Sequence, residues 1–531
     1  MSESKEYKLK KCDVIFEDGN KSDIRDIVGE FNWMESIDSP FIRCDFAILD
    51  SINFDDNLRG SEMIDIAFET ASGQAIDQGK GKLIKHKLRV YKIGSVVKQE
   101  RTKMYILHTA SPEIYANESN RAFGAFGPVA GRVDVVERML MKHLDAPSKR
   151  VNIEPYSNAN IISPNWRPVD VISYISDKVV RTKSNTQKKR KAGRRQSGFL
   201  FFENRDAFNF VSIDFLCEQK PICEYVYSQS NIQDNASAVD AFKIESVKYP
   251  DRTNQLEKLR MGVYKTITYG IALPQVTDSH APQAGGSSSL AFDKYYGGAA
   301  ETFDFEGGSS LQSLSADQLQ KLYKKEEKQE NRFFTAGNAQ SFNFDKAKSG
   351  SKGKLNDKQV SIQEKMGKPA GTISPPHITN IFTLFEVAST IEKGFPYDKE
   401  IVEKYAEKAP TRSKFKILPS HAHQSASAPN GGADDGPTNV VIASAYSAAR
   451  WSLLNTHTLT ITVPGNTKLY AGAIIKVDLP SSRQSGNRRV LKDRIYSGKY
   501  MVKGLIHTYK KNGITTELFL CRDSLPVVKD K

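Results

Sequence analysis

Side chains that commonly do chemistry are present in this 531-residue chain, but not in patterns that do it. His421 and His423 stand two apart, a spacing that could begin a metal site with distant partners. They fall in a Ser/Ala/Pro/Asn stretch that reads as a solvated loop. His108 and His507 sit in strand-like segments, where a structural role is the expectation. The five cysteines, Cys12, Cys44, Cys217, Cys223 and Cys521, are odd in number and widely spread, which is no disulfide framework. Cys217 and Cys223 match no common zinc spacing, so all five read as reduced thiols of a chain made in a cytoplasm. No G-x-x-x-x-G-K-[ST] phosphate loop, G-x-S-x-G elbow or H-E-x-x-H helix occurs. Glycoside cleavage needs two carboxylates flanking a cleft, and the acidic residues form no recognisable motif of that kind. The expectation is no catalytic residue, no cofactor and no metal.

One cluster could bind a polyanion. The formal charge is +14, and Lys188, Lys189, Arg190, Lys191, Arg194 and Arg195 place six cations within eight positions. Contact with phosphates would make binding salt-sensitive. The plainer reading is a solvated hairpin tip between a helix and a Phe-rich strand. Trp33, Trp166 and Trp451 read as core or interface anchors rather than base-stacking platforms.

The elements that must position these residues are mostly strands. With 39% hydrophobic and 26% charged residues the chain has sequence for several cores. It has no apolar run long enough to span a membrane and no apolar leader after Met1. Residues 7–110 read as successive strands with turn clusters at 17–20 and 39–40. Ile64, Ile66 and Phe68 alternate as a half-buried strand requires. Residues 112–122, 133–144 and 168–180 have helical spacing, while 198–202 and 208–215 are aromatic strand candidates. From 275 to 375 the chain turns Gly/Ser-rich and linker-like, with one polar helix expected at 315–331. A helix is expected from 438 to 455, with Val440, Ser447, Trp451 and Leu454 on one face. Strands at 458–463, 472–479, 499–509 and 514–521 close the sequence.

The first and last strand regions repeat weakly. Gly60 and Gly472 each begin a strand, and Lys87, Val90 and Lys98 recur as Lys499, Val502 and Lys510. All these pairs share an offset of 412, which implies equal connections in the two copies. Gly60 and Gly472 are candidate turn residues, since glycine starts a strand after a sharp bend without steric cost.

Together with Leu107-His-Thr-Ala-Ser-Pro-Glu113, Gly198-Phe-Leu-Phe-Phe-Glu203 and Leu469-Tyr-Ala-Gly472, these segments resemble the baseplate hub proteins of T-even-like contractile phages. The hub portion of type VI secretion spikes is a more distant likeness. The resemblance implies an α+β, β-dominated fold with two tail-tube-like β-barrel or sandwich domains. The expected units are 1–130, a first tube-like domain; 131–237, an α+β domain; 238–274, the start of the second tube-like domain; 275–437, an insertion; and 438–531, a helix and the rest of the second. It further implies a homotrimer in the virion tail baseplate that joins a sixfold tail tube protein to a threefold central spike protein. Other baseplate proteins would bind the insertion, and DNA or tape-measure protein would pass the lumen. Two rival readings are a nucleic-acid- or polysaccharide-binding tail module using the basic cluster, and a tail-associated cell-wall hydrolase.

Overall fold

A computed structural model describes residues 7–70, 83–99, 101–126, 135–156, 161–181, 197–227, 242–250, 256, 260, 265–272, 377–382, 391–392, 412–418, 440–481, 492–511 and 513–525. The basic cluster 188–195, His421, His423, the helix expected at 315–331 and most of 275–437 lie outside them.

The fold is β-dominated with few helices. Seven strands open it: β1 (Tyr7–Ile15), β2 (Lys21–Asp23), β3 (Val28–Ser36), β4 (Arg43–Asp50), β5 (Met63–Thr70), β6 (Ile84–Lys98) and β7 (Lys103–Ala110). In β5 the apolar Ile64, Ile66 and Phe68 point into the core, while Asp65 and Glu69 face Lys11 and Lys10 of β1. The period of two in the sequence therefore becomes one packed face and one charged face.

A smaller α+β unit follows, with α1 (Glu113–Ser119), β8 (Ala122–Phe126), α2 (Val135–Arg138), β9 (Val151–Ile153), β10 (Ile161–Trp166), α3 (Pro168–Ser176), β11 (Phe199–Glu203), β12 (Phe208–Ser212) and α4 (Ile213–Cys217). Its sheets are β8–β10 and β11–β12–β9. Val136, Leu140, Val171, Ile172, Ile175, Phe199, Phe208 and Phe210 make one core. Phe199 stacks on Phe210 with ring centres 4.9 Å apart.

Local chemistry moves several expected boundaries. The helix expected at 112–122 stops at Ser119, and Gly124 lies inside β8 rather than ending the helix. The helix expected at 133–144 is α2 continued by a π turn, Met139–His143. The strand expected at 208–215 ends at Ser212, whose hydroxyl accepts from the Phe215 amide at 3.1 Å and caps α4.

The remaining elements are β13 (Glu224–Val226), β14 (Ser246–Lys248), β15 (Lys265–Ala272), β16 (His377–Phe382), β17 (Arg412–Leu418), α5 (Val440–Leu454), β18 (His457–Pro464), β19 (Ile474–Asp478), β20 (Gly498–Lys510) and β21 (Gly513–Arg522). Strands β16, β15 and β17 form a separate small sheet. In α5 the buried face runs through Ala443, Tyr446, Arg450 and Leu454, and Trp451 is 37% exposed, not an anchor of the core. Arg450 is drawn inward by Asp214 and Asp523, at 3.1 and 2.8 Å, and this rotates the helix face.

Thirteen strands, most from the two ends of the chain and two (β13 and β14) from its middle, join one large sheet with the central order β14-β18-β21-β20-β3-β4-β7-β6-β5-β1-β2, while β19 pairs β20 and β13 pairs β19. The largest core lies under this sheet and takes residues from both ends of the chain, among them Phe31, Trp33, Phe46, Phe68, Leu459, Ile461, Tyr500 and Leu518.

Candidate assembly interface

Two sets of six strands within the large sheet follow the same order. The first runs β3-β4-β7-β6-β5-β1 and the second β14-β18-β21-β20-β19-β13. The neighbours are antiparallel throughout except that β13 pairs β19 in parallel, where β1 pairs β5 antiparallel. The three-residue β13 falls in the span 131–237, yet it pairs with β19 of the second set.

Register makes the match residue by residue. Arg89 faces Ala110 in the first set, as Met501 faces Cys521 in the second. Both long strands then bulge at equivalent positions, between Val90 and Lys92 and between Val502 and Gly504, each pair 412 apart. A bulge bends its strand and sharpens the twist. The half before the bulge pairs β5 or β19; beyond it β20 turns to a new neighbour, β3, while the far half of β6 keeps β7 as its one partner among the described residues.

The offset is not uniform. Arg89 and Met501 are 412 apart, but their partners Met63 and Ile474 are 411 apart, so the connections differ by one residue. The difference sits just after the glycines. Ser61 and Glu62 separate Gly60 from β5, whereas Ala473 alone separates Gly472 from β19. The extra Glu62 uses its carboxylate to accept the amides of Arg59 and Gly60, at 2.5 and 3.0 Å. Gly472 instead donates its amide to the Val502 carbonyl at 2.8 Å. Gly60 has φ +90° and Gly472 φ +88°.

The two sets meet edge to edge within the chain. Beyond its bulge, β20 pairs antiparallel with β3 from Gly504 opposite Ser36 to Lys510 opposite Glu30. On the side facing away from the core, the Thr508 hydroxyl donates to Asn32 Oδ1 at 2.8 Å and Lys510 lies 3.5 Å from Glu30. On the core side Tyr509 stacks on Phe31 with centres 4.6 Å apart. Thr467 donates its amide to Thr70 Oγ1 at 3.0 Å, tying the end of β5 to the second set.

Buried polar groups fix the angle between units. Glu35, on the core-facing side of β3 with Phe31 and Trp33, accepts from Trp33 Nε1 at 2.9 Å, the Arg205 amide at 3.1 Å and the Ala471 amide at 3.2 Å. One carboxylate thus holds the first set, the α+β unit and the second set. Burial pushes its pKa up, and those three donors only partly offset it. Glu203 is fully buried and accepts from the Ile42 amide at 2.9 Å, Ser111 Oγ at 2.5 Å and Arg150 at 2.7 Å, with His86 Nε2 at 3.3 Å. Burial opposes its charge, but His86, Arg150 and Ser111 outweigh it and hold the pKa below the usual carboxylate range. His507 lies between Leu505 and Tyr509 on the core face of β20. Its Nδ1 is 2.8 Å from Thr516 Oγ1, and burial, assisted by Arg205, pushes its pKa down to about 3.

Sequence reasoning missed Glu35 and Glu203 as structural keys, while the structural role expected of His507 is the one it has, buried in β20 against Thr516. For Glu35 and His507 a signal existed in strand parity: each shares the inward-facing register of apolar neighbours two positions away. His108 lies on the opposite face of the sheet and bonds Asp45 Oδ1 at 2.8 Å. All five cysteines are free, and burial pushes Cys223 up to about 12. The described residues contain no cluster of three His, Cys, Asp or Glu able to hold a metal, and no described helix is long and apolar enough to cross a membrane.

No protein-family model matches the chain, and no curated protein matches it in sequence. Solved structures similar to it are phage tail and type VI secretion proteins. A tail protein from Neisseria meningitidis is 9% identical with a TM-score of 0.43, covering 98% of this chain and 97% of its own. A 43 kDa tail protein of prophage MuSo2 from Shewanella oneidensis is 6% identical with a TM-score of 0.42, over 98% and 100% of the two chains. An Escherichia coli component of the type VI secretion system is 6% identical with a TM-score of 0.33, over 99% and 77%.

Proposed function

We propose that this chain is a structural protein of a phage-type contractile tail, the baseplate hub. In this reading three copies close a ring of six quasi-equivalent tube-type β-domains. The observation that carries it is the repeated strand order joined through the internal β20–β3 pairing. A chain holding two like units side by side offers sixfold spacing to one partner while keeping threefold symmetry for another. The sixfold partner is the tail tube and the threefold partner the central spike.

The run β14-β18-β21-β20-β3-β4-β7-β6 supplies eight strands per chain. Three copies, with strands ~4.8 Å apart, give a circumference of about 115 Å and a backbone diameter of about 37 Å before strand tilt widens it. That bore suits passage of tape-measure protein and DNA. The units proposed for this work are 1–130 and 238–274 with 438–531 as the tube-type domains, 131–237 as the α+β domain and 275–437 as an insertion for other baseplate proteins. The role is mechanical and needs no catalytic group.

Light scattering on the purified chain tests the reading. Three times 59.3 kDa, about 178 kDa, is the expected mass. A monomer at every concentration, alone and with the spike, would overturn it.

A further inference from the structure

The ring reading, on which this inference rests, requires each copy to present two complementary edges. Inside the chain the complementary edges are the far half of β20 and the strand β3. Their equivalents in the opposite sets are the far half of β6, residues 92–98, and β14. These are the two ends of the eight-strand run.

Both edges are open among the described residues. The backbone of 92–98 pairs only with β7, and β14 pairs only with β18. Val96 and Val97 stand 52% and 53% exposed on the β6 edge. An open edge bearing exposed β-branched side chains invites pairing, which soluble chains otherwise avoid. A second bulge in β6, between Gly94 and Val97 with Ser95 at φ +55°, has no counterpart in β20. It limits regular pairing to the strand end.

We infer that the seam between copies is an antiparallel pairing of residues 97–99 of one chain with residues 246–248 of the next. The register follows from the internal joint. Val97 faces Met104 as Thr508 faces Thr515, so Val97 takes the place of Thr508. Phe46 faces Leu107 as Ile461 faces Leu518, so Val247, opposite Ile461, takes the place of Phe31. Thr508 faces Asn32, Tyr509 faces Phe31 and Lys510 faces Glu30. Transferred across chains, Val97 faces Lys248, Lys98 faces Val247 and Gln99 faces Ser246. The occupant of each edge is a second copy of this chain, bound head to tail, a geometry that closes into a ring when the rotation per copy allows.

Cysteine pairs across the seam test this. Facing pairs alternate between closer and wider spacing, so one of V97C/K248C and K98C/V247C brings the Cβ atoms within disulfide range. Each double variant is oxidised as the full-length protein, its mass measured by light scattering, and run on a denaturing gel without reductant. The single variants report background from Cys223. The expected result is covalent species of up to three chains, and none larger, in a double variant only. A native trimer with no inter-chain disulfide in either double variant would overturn the strand pairing and leave the ring reading standing. A monomer without cross-links would overturn both. A ladder beyond three chains would support the pairing and overturn closure at three.

Discussion

Alanine at the two strand-leading glycines should destabilise the protein unequally, and the difference isolates packing from backbone strain. Gly60 and Gly472 have nearly the same φ, +90° and +88°. An L side chain in such a left-handed conformation costs roughly 1–2 kcal/mol, so that cost is common to Gly60→Ala and Gly472→Ala. Their surroundings differ. A Cβ at Gly60 meets only Ile93 Cδ1, at 3.9 Å, an ordinary contact. A Cβ at Gly472 meets Phe202 Cζ at 3.1 Å and Leu216 Cδ2 at 3.3 Å, buried side chains of the α+β unit. Forcing such neighbours apart costs typically ~1–3 kcal/mol. The expected losses are therefore about 1–2 kcal/mol for Gly60→Ala and about 2–5 kcal/mol for Gly472→Ala. Urea unfolding followed by tryptophan fluorescence, at one fixed protein concentration because assembly adds stability by mass action, reads both. Equal losses, or a larger loss at Gly60, would refute the claim that Gly472 is where the second strand set packs against the α+β unit.

Other outcomes follow from the buried polar groups. Glu203→Gln removes the charge facing Arg150 and His86, and breaking a buried pair from one side costs about 3–5 kcal/mol, readable in the same urea experiment. Glu35→Ala leaves Trp33 Nε1 and the amides of Arg205 and Ala471 without their acceptor, at ~1–3 kcal/mol for each unmet donor. Limited proteolysis should then cut between strand sets that resist cleavage in the parent. His507 titrates near 6.5 when unfolded and at about 3 when folded. The unfolded state therefore binds the extra proton between those values, and stability falls as pH drops from about 6.5 toward 3, by up to ~1.4 kcal/mol per pH unit. His507→Asn should flatten that part of the stability profile, and an unchanged slope would remove His507 as its source.

The sequence made the individual strands more legible than their partnerships. Ile64, Ile66 and Phe68 alternate cleanly because β5 buries one face and wets the other. The same holds for Leu459, Ile461 and Val463 of β18. By contrast, β13 and β14 are three residues each, too short for a period of two to register. The β20–β3 joint pairs residues hundreds of positions apart, and no local pattern encodes it. The 412-residue offset holds at Val90 and Val502 but conceals two one-residue slips: the insertion beside Gly60, absorbed by the Glu62 carboxylate, and the second bulge of β6, which sets Lys98 level with Tyr509 rather than Lys510. A charged side chain in a sequence carries no mark of burial, so Glu203 and Arg450 show as core elements only through partners from distant segments. For Trp451 the exposed side chain removes the core alternative and leaves the interface one, while Arg450 beside it is the buried group.

The internal β20–β3 joint also has a consequence for how an assembled ring would yield under load. Of six seams around the bore, three would lie within chains, tethered by the polypeptide at an effective concentration that dilution cannot reduce. The other three would hold only by association. A spike driven through such a ring would strain two unlike sets of seams in alternation, and the ring would part at every second one. Its weak points would repeat three times while its shape repeats six, so the part that matches the tube in outline would match the spike in the way it opens.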